Sequence, residues 1–194
     1  MGGIRDDVVA KEKVPQGRNG VHIGTHTIFS SGGLQVAAYC RRHIVDGEPS
    51  DAIKYCLKLT AVPRYGPREY GAFSDGKGVS MEIEKDAMLG LHGVLAGRVA
   101  IFERTINRPA SVAKTLVAKC QIGASATPPF FISLKEGDLA IGVSLMWYDS
   151  LAIQMLIAAT LEKVFPYVDA RTAYAEHLRV ACQKANSEQK AVAK

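Results

Sequence analysis

Leu139, Ile141, Val143, Leu145 and Trp147 alternate with Ala140, Gly142, Ser144 and Met146, a period of two that places one set of side chains on each face of an extended strand. A strand with one apolar face has to be paired along its edges and covered on that face. The neighbouring sequence offers the partners. Phe130 to Leu134 precedes it across Lys135-Glu136-Gly137-Asp138, and Arg98 to Ile106 and Val112 to Ile122 are two further strands joined by Asn107-Arg108-Pro109-Ala110-Ser111. The second half of the chain therefore reads as antiparallel sheet.

In the first half, Val21, Ile23, Thr25, Thr27 and Phe29 alternate with His22, Gly24 and His26, as in a strand with one buried face. Ser30-Ser31-Gly32-Gly33 makes a turn. Leu34, Ala37, Ala38, Ile44 and Val45 then mark one side of a helix ending at Asp46-Gly47, and Pro49 opens a second helix with Ile53, Cys56, Leu57 and Thr60 on one face, up to Pro63. Pro63 to Gly78 has the Gly and Pro density of an exposed loop. Val79, Met81 and Ile83 alternate as a short strand, while Lys85 to Gly97 is broken by glycines and carries no clear period. Asp149 or Ser150 caps an apolar helix to Phe165, and Asp169 caps a last helix through Tyr174, Leu178, Ala181 and Cys182. The expected fold class is α+β: an antiparallel sheet with a helix pair near the N-terminus and two C-terminal helices packed on it. Residues 1–19 are expected to form a flexible arm, 20–184 a single domain and 185–194 a polar tail.

A chain of 194 residues, 47% hydrophobic and 22% charged, is long enough to bury a core without a staple. Cys40, Cys56, Cys120 and Cys182 lie far apart with no C-x-x-C pair, which excludes a zinc ribbon or thioredoxin motif and fits reduced thiols in a cytosolic compartment. The opening residues lack the apolar core of a secretory signal, and the run Leu151 to Leu161 is too short for a membrane span of ~20 residues. A net charge of +5 favours an acidic partner.

Chemical motifs are absent. His22 and His26 stand on a strand, where positions four apart share a face but lie ~13 Å from each other, too far for one metal. Ser111-Val112-Ala113-Lys114 fits S-x-x-K only at its two fixed positions, with no accompanying S-D-N or K-T-G element. Cys40 has Arg41, Arg42 and His43 beside it, but adjacent helical residues do not face one another. No catalytic residue, metal ligand, cofactor or small-molecule substrate is expected, and the protein is not read as an enzyme. The residues expected to make contacts with RNA, a membrane or a second copy are Lys11, Lys13 and Arg18 in the arm, Arg41 and Arg42 at a helix end, and Arg64, Tyr65, Arg68 and Tyr70 in the loop, where arginine can pair with phosphate and tyrosine can stack.

The order strand HIGTHTIFSS, helix LQVAAYCRRHIV, break DGEPS, helix DAIKYCLKLTAV and loop PRYGPREYG, followed by GVLAGRVAIFERTI, resembles the core of rhabdovirus matrix proteins. The late-domain motifs common in that family are missing from the arm. The resemblance implies a non-enzymatic viral structural protein that self-associates as a homo-oligomer, binds nucleocapsid or RNA, and attaches to an anionic membrane surface, in the host cytoplasm and in the virion beneath the envelope. The alternative is a small RNA-binding viral accessory protein, such as a suppressor of host silencing.

Overall fold

The computed structural model describes residues 21–45, 48–107, 111–121 and 129–164. The first four-stranded antiparallel sheet runs in the order β1 (Val21–Phe29), β2 (Gly33–Val45), β3 (Glu48–Val62) and β6 (Val79–Ile83); between β3 and β6 stands a small hairpin, β4 (Arg64–Gly66) and β5 (Glu69–Tyr70). The second sheet runs β10 (Leu139–Leu145), β9 (Phe130–Glu136), β8 (Lys114–Cys120), β7 (Ile101–Ile106). Two helices complete the described residues, α1 (Lys85–Leu95) and α2 (Trp147–Val164).

The expected N-terminal helix pair is not there. Its residues form β2 and β3, which pair antiparallel from Gly33 opposite Val62 to Val45 opposite Glu48. Every residue from Leu34 to Cys40 except Gln35 is buried, and a strand buried on both faces loses the period of two by which sequence reveals it. Its residues favour extension nonetheless: Val36, Tyr39, Ile44 and Val45 on β2 and Ile53, Tyr55, Thr60 and Val62 on β3 are β-branched or aromatic. The segments on which the resemblance to rhabdovirus matrix proteins was read as strand, helix, break and helix are three consecutive strands. The expected last helix lies outside the described residues, as does the arm.

The register assigns the faces. Ile28 pairs with Leu34, Leu34 with Ala61 and Ala61 with Val79, so these side chains point inward with Val36, Ala38, Leu57, Leu59, Met81 and Ile83, all buried. In the second sheet Leu116, Ala118, Ile132, Leu134, Ile141, Val143 and Leu145 form the opposing face. The sheets meet where β3 and β6 approach β9 and β10; α2 fills the inner side of β1, β2 and β3, and α1 lies against β7 and β8. Gly90 on α1 is where the helix comes close, since a Cβ there would stand 2.2 Å from the Phe102 ring. Leu89, Leu91, Val94 and Leu95 of α1 join Ile153, Ile157 and Leu161 of α2 in the same core.

The sheets are also joined at an edge. Ser30 and Ser31, in the turn between β1 and β2, donate to the carbonyls of Ser144 and Gly142 on β10, and the Ser144 amide donates to the Ser31 hydroxyl at 3.1 Å. An outer strand otherwise left with open backbone groups is thereby blunted. At the start of α2, Asp149 accepts from the Met146 amide and meets His26 of β1 at 3.0 Å, so one buried carboxylate caps the helix and ties it to the first sheet. None of the described helices is long and apolar enough to cross a membrane.

Candidate nucleic-acid interface

Because both helices occupy the inner faces, the outward faces of the two sheets carry no helix among the described residues. On the first sheet that outward side holds Phe29, Thr27 and Thr25 of β1, Gln35, Ala37, Tyr39 and Arg41 of β2, and Val62, Thr60, Lys58, Cys56 and Lys54 of β3; Ala37, Tyr39, Cys56, Thr60 and Val62 are buried there, and Phe29 and Lys58 are exposed. The β4–β5 hairpin rises at the end where β1 turns into β2.

The hairpin residues named from sequence divide into supports and projections. Arg64 is a support: its guanidinium donates to the carbonyls of Gly66 and Ser30 at 2.9 and 3.2 Å and lies 5.8 Å from the centre of the Tyr70 ring. Tyr70 is another, its hydroxyl donating to the Ser30 carbonyl at 3.1 Å and its ring meeting Phe29 at 4.8 Å. Phe73 closes the group 6.0 Å from Phe29. Tyr65 projects instead, 62% exposed, and Arg68 is exposed at the hairpin tip, in the turn after Pro67, with φ 65° in the left-handed region.

Phe29 is the residue that sequence reading misplaced. The strand alternation assigns it to the buried face with Val21, Ile23, Thr25 and Thr27, yet Ile28 and His26 face inward and Phe29 is 57% exposed. Its position immediately before Ser30-Ser31-Gly32-Gly33 was the available signal, since the end of a strand at a turn often extends past the core. Gly33 accommodates the arrangement: a Cβ there would meet Val62 at 2.7 Å, Phe73 at 3.3 Å and Phe29 at 3.5 Å.

Arg41 and Arg42 lie at the far end of the same sheet, eight to nine residues along β2 from Gly33, about 27 Å at the strand rise. They do not end a helix, and as neighbours on a strand they do not share a face. Arg41 pairs with Glu82 at 3.2 Å and Arg42 with Asp51 at 2.8 Å. Burial works against the Arg41 charge, but Glu82 outweighs it and holds the guanidinium above its ordinary pKa. Tyr39 beside it is pushed far above the usual phenol range by burial and by Glu82. This end of the sheet is internally neutralised. Lys54 is paired with Glu84 as well, whereas Lys58, exposed between the two ends, and Lys77, after the hairpin, make no ion pair among the described residues. Lys11, Lys13 and Arg18 lie outside the described residues.

The features weighed as chemistry resolve as structure. His22 and His26 do not share a face: a bulge between His22 and Gly24 turns His22 outward beside Tyr39 and His26 inward to Asp149. Lys114 donates to the Ser80 carbonyl and pairs with Glu136, both at 3.0 Å, which ties its ammonium away from any serine activation. Cys40, Cys56 and Cys120 are buried, and burial raises the pKa of the last two, the opposite of an activated thiol. Among the described residues no group of His, Cys, Asp and Glu could hold a metal ion.

No family model matches the chain, and no curated protein matches it. Among solved structures it is similar to the plant transcriptional regulator PBF-2, at 14% identity and a TM-score of 0.48 over 85% of this chain and 88% of that one. It is also similar to a guide-RNA-binding protein complex bound to a gRNA, at 14% identity and a TM-score of 0.41 over 67% of this chain and 92% of that one. A third likeness is to MRP1/MRP2 of Trypanosoma brucei, at 14% identity and a TM-score of 0.41 over 78% of this chain and 86% of that one.

Proposed function

We propose that this protein is a non-enzymatic binder of single-stranded nucleic acid, with RNA as the partner, and that Phe29, Tyr65 and Arg68 form its contact surface. The observation that carries the reading is the pair of more-than-half-exposed rings, Phe29 and Tyr65, held beside cations by side chains that are themselves fixed. Exposed rings stack on unpaired bases of any sequence, and nearby cations neutralise the phosphates between them. Arg64, Tyr70 and Phe73 anchor the platform before any ligand arrives, which lowers the ordering cost of binding. A duplex keeps its base faces hidden, so stacking favours the single strand.

Fluorescence anisotropy with a labelled single-stranded RNA tests the proposal. Stacking contributes ~1–3 kcal/mol per base, so Tyr65→Ala and Phe29→Ala are each expected to weaken binding by about 5- to 150-fold. Three phosphate contacts, from Arg68, Lys58 and Lys77, correspond to a slope of about −2 in log affinity against log salt. Equal affinity for wild type and both variants refutes the surface. Flotation of the protein with anionic liposomes, together with no RNA binding, refutes the reading itself and favours a membrane partner.

A further inference from the structure

We infer that the outward side of α2 is a docking surface for a second copy of this chain, packed antiparallel along the same helix. The inference stands apart from the nucleic-acid reading, because it uses α2, which contributes no residue to the Phe29, Tyr65 and Arg68 surface. Ser150, Ile153, Ile157, Thr160 and Leu161 of α2 are buried against its own chain. On the opposite side Trp147, Tyr148, Leu151 and Met155 are 64%, 69%, 58% and 65% exposed, and Ala158 and Ala159 are exposed after them. Tyr148, Leu151, Met155 and Ala158 are spaced by three, four and three residues, the seam of a helix that packs on another helix. A helix apolar on both sides is one that is covered on both sides.

The row is self-complementary. An antiparallel partner whose dyad passes near Ile153 sets Leu151 against the partner's Met155, Tyr148 against its Ala158 and Trp147 against its Ala159, large against small in each aromatic layer. Trp147 is already oriented, its ring meeting Phe130 edge-on at 4.8 Å. Aromatic side chains bury ~150–250 Å² each, so the four large residues offer roughly 450 Å² per copy, and the two copies together approach the ~1,000 Å² that a specific interface needs. The row carries no charge until Glu162 and Lys163, which suits the depletion of charge at an interface centre.

Light scattering on the full chain is expected to give twice 20.9 kDa or an even multiple at micromolar concentration, and Leu151→Glu with Met155→Glu is expected to raise the dissociation constant at least a hundredfold with an unchanged circular dichroism spectrum. Mixing Leu151→Cys and Met155→Cys variants under diamide is expected to yield a crosslink between the two variants, a readout that does not depend on how the glutamate variant folds. A monomeric wild type, or a dimer that the glutamates leave intact and the cysteines do not crosslink, overturns the inference. So does an intrachain disulfide from position 155 to Cys182, which would seat the chain's own C-terminal residues on this face.

Discussion

Replacing Gly90 by alanine is expected to destabilise the protein, against the usual direction for a helix. In an unobstructed helix the change is favourable by up to ~1 kcal/mol. Here the new Cβ would stand 2.2, 2.4 and 2.7 Å from three ring atoms of Phe102, where carbon contacts settle at about 3.5–4.0 Å. The ring has to retreat by roughly 1.3 Å or more to restore contact distance. Phe102 is on the inward side of β7, opposite Ala118 and packed against the core, so a retreat disturbs β7 and the α1 contact together. Overpacking of this kind costs ~1–3 kcal/mol, which leaves a net loss of up to ~2 kcal/mol after the helix propensity gain. In a chain of this size that lowers the melting temperature by up to ~8 °C. Urea titration followed by circular dichroism measures it, and a Phe102→Leu background is expected to remove most of the loss, with a coupling of ~1 kcal/mol or more. A gain of the full propensity increment in the wild-type background, without coupling to position 102, would show that α1 does not rest on β7 through this pair.

His92 is buried on α1, and burial, with a smaller contribution from Arg98, lowers its pKa from 6.5 to about 4. The unfolded chain takes up this proton below pH 6.5 and the folded one only near pH 4, so stability is full above the first value and is lost as pH falls through that window, by ~3 kcal/mol at most; urea midpoints measured from pH 7.5 to 4.5 are expected to fall less steeply in His92→Gln than in wild type, and parallel curves would contradict the assignment. Asp149→Ala removes both the Met146 cap and the His26 contact and is expected to cost ~2 kcal/mol, whereas His26→Ala, which leaves the cap, is expected to cost less; equal losses in denaturant titration would deny the capping role. Ser31→Ala deprives the Ser144 amide of its partner and is expected to cost ~1 kcal/mol and to speed exchange of that amide, an effect absent if the turn does not clasp β10.

Where one face of a strand is wet, the sequence announces it. Ile141, Val143 and Leu145 are buried between exposed or half-buried neighbours, and the paired order of β7 to β10 followed from the alternation and from turn residues such as Gly137, whose φ is 58°. The same reading failed on β2 because cover on both faces makes Leu34, Val36, Ala37 and Ala38 an apolar run interrupted only by Gln35, to which a helical period fits by coincidence. It was silent on α1, since Gly90 and Gly93 interrupt the helical pattern and the reason for Gly90 is a ring some twelve residues later. Of the proposed contact surface, the exposure of Tyr65 and Arg68 was legible because a Pro- and Gly-rich segment gives aromatic and basic residues no core to join. Arg64 and Tyr70 hydrogen-bond to Ser30, which is distant in sequence, and folding brings Glu82 to Arg41 and Asp51 to Arg42, partners that no local pattern announces.

Ultraviolet crosslinking of the full chain to single-stranded RNA, followed by mass spectrometry of the adducted peptides, tests the contact surface most directly, because aromatic side chains stacked on bases form adducts where they touch. The adducts are expected on Phe29 and on the Arg64–Tyr70 hairpin, with Tyr65 the principal site. Adducts confined to other aromatic residues, such as Phe131 on the outward face of the second sheet, or none at all under saturating RNA, would contradict the account.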